Sequence, residues 1–61
     1  MEIGSIKSDQ IWRPRNPSRS NIVVQRVNVY SKIIYWYNEG NEKHIFEMPY
    51  VTFVDSFTLS E

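Results

Sequence analysis

The residues best equipped for chemistry lie close together near the start of the chain, in Trp12-Arg13-Pro14-Arg15-Asn16-Pro17-Ser18-Arg19-Ser20. Three arginines share this proline-stiffened segment, with a tryptophan at its base. A guanidinium is a planar donor fork that pairs with carboxylate or phosphate and stacks on rings or bases. Asn16, Ser18 and Ser20 add short polar groups. Two kinds of ligand answer to this chemistry. A protein surface would use Trp12, Arg13, Arg15 and Arg19 as anchors, because Arg and Trp are favoured at contact centres. A nucleic acid would set its phosphates against Arg13, Arg15, Arg19 and Arg26. A third reading makes Trp12 a core ring and leaves the arginines merely solvated.

A second cluster is aromatic. In Ile33-Ile34-Tyr35-Trp36-Tyr37, the two-residue alternation of a strand puts Ile34 and Trp36 on one face, and Ile33, Tyr35 and Tyr37 on the other. Both faces are apolar, and only one can enter a core. The other is then an interface, with Tyr35 and Tyr37 as partner contacts, or a surface for self-association into a homodimer. Ordinary packing between neighbouring strands is the milder alternative.

Catalytic chemistry has little to build on. His44 is the single histidine and sits among charges in Glu42-Lys43-His44. The carboxylates form no spaced pair for acid–base work. The two glycines, Gly4 and Gly40, cannot make a phosphate loop or a nucleophile elbow. With no cysteine and one histidine, the set of zinc ligands is missing. The expectation is a non-enzymatic chain with no cofactor and no metal.

These residues must be positioned by a very small scaffold. The chain has 61 residues, a length at which only ~60% of the unfolded surface is buried, and it reads as a single domain spanning 1–61, with 1–9 as an extended or flexible lead-in arm. No apolar run approaches the length of a membrane span and the start lacks a signal-peptide core, so the expected setting is cytoplasmic. The net charge is zero but unevenly placed. Residues 1–37 carry six cations against two anions, and residues 38–61 carry one cation against five anions.

Composition points to strands. There is no alanine, Leu59 is the only leucine, and nine residues are aromatic. The rest of the apolar set is mainly Val and Ile, which suit a pleated surface. The pattern predicts a short strand near 10–13, a loop over 13–20, and a strand over 21–29. A bulge near Gln25-Arg26 in that strand would bring Ile22, Val24 and Val27 inward together. A turn at 30–32 leads to a strand over 33–37, and Asn38-Glu39-Gly40-Asn41 forms a hairpin connection with Gly40 at positive φ. A strand over 42–47 follows, ended by Pro49. A helical turn over 50–54 and a closing strand over 56–60, with Phe57 and Leu59 inward, complete the order.

The reading is therefore all-β: a small five-stranded barrel with a short helical turn before the last strand. Ile11-Trp12, Ile22-Val23-Val24, Val27, Ile33 to Tyr37, Phe53 and Phe57 give it an order that resembles the Src-homology-3-like barrels of small phage and bacterial proteins. The resemblance implies a phage-encoded protein that binds and modulates a larger host or viral protein, in the host cytoplasm. A small nucleic-acid-binding protein and a self-associating structural subunit are the alternatives. The acidic loop and paired tyrosines of peptide-binding Src homology 3 domains are not visible, so polyproline binding is not implied.

Overall fold

The structure is a computed structural model and describes residues 3–16 and 18–59. A 3₁₀ turn, Ile3–Ser5, precedes five strands: β1 (Ile11–Pro14), β2 (Ile22–Asn28), β3 (Ile33–Asn38), β4 (Ile45–Pro49) and β5 (Phe57–Leu59). A single helix, α1 (Tyr50–Ser56), joins β4 to β5. All pairings are antiparallel and the strand order is β4-β3-β2-β1-β5.

The expected Src-homology-3-like barrel is not formed. The sheet is open: β4 and β5 are its two edges and do not pair with each other. Two features account for this. Pro49 ends β4, and the chain passes at once into α1, so β4 cannot run on to meet β5. β5 itself is three residues long and is used up in pairing with β1 through Arg13↔Thr58 and its neighbours. What stands is an all-β fold of five antiparallel strands, with one helix before the last.

The core follows from alternation with one interruption. In β2 the register shifts between Val24 and Arg26, leaving Gln25 as the extra residue. Without it, alternation from Ile22 and Val24 would carry Arg26 inward. With it, Arg26 stays exposed, and Val27 packs on the core with the buried Ile22 and Val24. In β3 the buried pair is Ile34 and Trp36, which leaves Ile33, Tyr35 and Tyr37 on the opposite face. Trp12, Phe53 and Phe57 complete an aromatic centre. Phe53 lies 4.9 Å from Trp12 and 5.0 Å from Phe57, and Phe57 lies 5.2 Å from Trp36, between ring centroids. Large rings let a short chain bury enough apolar area to hold together.

Several boundaries differ from the sequence expectation for local reasons. The described part of the lead-in, residues 3–9, is tied to the core. Ile6 is buried, the Asp9 N–H donates to the Val24 carbonyl at 2.8 Å, and the Val24 N–H donates to the Gln10 carbonyl at 3.0 Å. β1 runs to Pro14, because extended backbone suits the residue before a proline and Pro14 needs no ladder donor. β4 starts at Ile45, not at 42, since Asn41 N–H bonds the Asn38 carbonyl and His44 N–H the Asn41 carbonyl as the turn closes. Gly40 has φ +88°, the left-handed conformation that the hairpin needs. No helix among the described residues is long and apolar enough to cross a membrane.

Candidate functional site

The arginine segment forms one wall of an open groove of about 530 Å³, lined by Arg13, Pro14, Arg15, Arg19, Asn21 and Thr58. Arg13 enters it from β1 and Thr58 from β5, because these two residues are paired directly across the ladder. Arg19 comes from a turn that holds its own shape. The Arg19 N–H donates to the Asn16 carbonyl at 3.2 Å, while Asn16 Oδ1 accepts from the Ser18 N–H at 3.1 Å and the Ser18 hydroxyl at 2.8 Å. Such side-chain-to-backbone bonding is why Asn and Ser serve in turns. Pro17 lies outside the described residues.

Arg15 is fixed. Its Nε donates to the Asp55 carbonyl at 2.8 Å, its Nη2 to the Val54 carbonyl at 3.4 Å, and its backbone N–H to the Ser56 carbonyl at 3.1 Å. The last carbonyls of a helix lack internal partners and carry the negative end of its dipole. One residue forty positions away in sequence thus satisfies three carbonyls at the end of α1. Arg13 and Arg19 are exposed and make no side-chain hydrogen bond or ion pair with the described residues. The groove is therefore built from one anchored guanidinium and two with open donor sets.

Trp12 sits beneath this wall at 2% exposed, its ring edge-on to Phe53 and its Nε1 donating to Gln10 Oε1 at 3.3 Å. Its position is that of a core ring supporting the arginine-bearing strand. Arg26 is apart from the other three arginines. It does not line the groove, and its guanidinium carbon lies 4.4 Å from the centre of the Tyr35 ring on the solvent face of the sheet.

That solvent face carries a second feature. Strand register aligns Ile11, Val23, Tyr37 and Ile45 in one row across four strands. Each is next in sequence to a residue packed in or on the core, so the row faces away from it. Ile11 and Ile45 are 39% and 40% exposed, and Val23 and Tyr37 are half-buried between them. A parallel row sets Arg26, Tyr35 and Glu47 side by side. Ile11 and Arg13 are two residues apart on β1, so the apolar row begins beside the groove.

Of the residues the sequence singles out, Arg13, Arg15 and Arg19 line the groove and Tyr35 and Tyr37 lie on the solvent face of the sheet; Asn21, Thr58, Ile11, Val23 and Ile45 were not among them. Asn21 lay one residue past the loop, within reach of inspection. Thr58 and the cross-strand row depend on register between distant strands, which no local pattern carries. Among the described residues no three His, Cys, Asp or Glu side chains gather as a metal site. No family model, no curated protein and no solved structure matches this chain.

Proposed function

We propose that this chain is a non-enzymatic, cytoplasmic interaction module that binds a larger protein and modulates it. The contact is the solvent face of the sheet, with Tyr35 and Tyr37 at its centre, and Arg13 of β1 and Arg19 of the β1–β2 loop at its rim. The observation that carries the reading is the row Ile11–Val23–Tyr37–Ile45, an apolar stripe beside a groove whose described lining holds three arginines and no carboxylate. Apolar area flanked by arginine is the composition of a protein contact: rings and aliphatic groups exclude water, and guanidinia pair with carboxylates. A nucleic acid has no use for Ile11, Val23 and Ile45. Self-association by strand addition is discouraged, because one sheet edge ends in Pro49 and the other is three residues long.

Capture from a lysate tests this with three baits: the wild-type chain, Tyr37→Asp, and Arg13→Gln combined with Arg19→Gln. Arg15 is left intact in all three because it holds α1. Proteins retained by the wild type and lost from both variants, with unchanged circular dichroism, are the expected result. Equal retention by all three baits overturns the proposal. Retention that disappears on nuclease treatment transfers the surface to a nucleic acid.

A further inference from the structure

The groove over the β1–β5 pair is lined by three arginines, with no carboxylate residue among its described lining. Like charges on one wall repel one another, and an entering oxyanion adds attractions that offset the repulsion. Their presentation is ordered. Arg13 rises from a paired strand, Arg15 is clamped to the end of α1, and Arg19 leaves a turn closed by Asn16. Ligand binding would then order only the heads of Arg13 and Arg19, which lowers the entropy lost on contact.

We infer that this groove is an oxyanion subsite that takes the carboxylates of an acidic peptide segment. The inference rests on the protein-binding reading above and names the chemistry the partner brings. The groove is open and about 530 Å³ in volume, which gives room for a segment of several residues. Lining chemistry decides against a nucleic-acid strand. No aromatic residue lines the groove for a base to stack on, and the fourth arginine, Arg26, lies against Tyr35 and does not extend the cationic track. Thr58 and Asn21 supply uncharged donors at the groove wall. Since Ile11 lies two residues from Arg13 on β1, a segment with carboxylates beside an apolar side chain engages groove and row together.

The test is titration of the ¹⁵N-labelled chain at low salt with acetylated hexaglutamate, a short oligothymidylate and inorganic phosphate in separate arms. Hexaglutamate is expected to move the amides of Arg13, Arg15, Arg19, Asn21 and Thr58, with affinity falling as salt rises. Arg13→Gln combined with Arg19→Gln should weaken that binding at least about tenfold, as loss of charge-assisted hydrogen bonds requires. Shifts spread evenly over Lys7, Arg26, Lys32 and Lys43, or unchanged affinity in the double variant, overturn the subsite. So does tighter binding of oligothymidylate in the same groove, or saturation by phosphate at the peptide's concentration. Should hexaglutamate fail while Tyr37→Asp still abolishes protein capture, the subsite alone falls. Peptide binding at the groove without dependence of capture on Tyr37 contradicts the sheet-face reading instead.

Discussion

Arg15 is the residue on which the candidate site turns, and its bonds are to a helix end, not to a ligand. Its side chain and backbone occupy the carbonyls of Val54, Asp55 and Ser56. Exposed hydrogen bonds of this kind contribute modestly, and Arg15→Ala should cost about 1 kcal/mol in a urea melt. It should also speed amide exchange of Phe57, whose N–H caps α1 on the Phe53 carbonyl. Arg13→Ala should leave both unchanged, because its head has no partner among the described residues. Equal destabilisation by the two variants contradicts the distinction between anchored and open arginines. That distinction was invisible in the sequence, where the three are equivalent members of one loop. It arises from a contact spanning forty residues. The residue types were legible; their division of labour was not.

At the scale of elements, local chemistry explains most of what could be read in advance. Gly40 has open space around its Cα, so a methyl there meets nothing within 4 Å, and the cost of a side chain comes from its φ of +88° alone. Gly40→Ala should therefore destabilise by about 1 kcal/mol, while Gly4→Ala, with equal space and no positive φ, should be near neutral in the same thermal melt. If Gly4→Ala costs as much as Gly40→Ala, the hairpin argument fails. The bulge was legible because strict alternation from Ile22 and Val24 leaves Val27 on the other face, and one extra residue brings the three apolar side chains inward together. The orientation of β3 was not legible, since Ile34-Trp36 and Ile33-Tyr35-Tyr37 are both apolar sets. Packing decides it. Trp36 meets Phe46 at 4.6 Å and Phe57 at 5.2 Å between ring centroids, and only the Ile34–Trp36 face has such rings to meet. The Trp36 Nε1 is buried without a hydrogen-bond partner, the one polar side-chain atom found in that condition among the described residues.

For the molecule as a whole, the open sheet changes what the surface can do. Closure of the five strands into a barrel was the expectation that failed, because short apolar runs fix strand identity but say nothing about whether the outermost strands meet. With β4 and β5 left as edges, one face of the sheet stays with the core. The other carries the apolar row from Ile11 to Ile45, with the arginine groove at its β1 end. The proposed binding would use a groove with one guanidinium already held, at Arg15, and two whose heads make no bond with the described residues, at Arg13 and Arg19. Arginine Nε–H exchange, measured by NMR on the wild-type chain alone, tests this most directly. Slow solvent exchange and restricted motion are expected at Arg15 Nε, which donates to the Asp55 carbonyl, with fast exchange at Arg13 and Arg19. Indistinguishable exchange at all three, or protection at Arg13 or Arg19 instead of Arg15, would contradict that expectation.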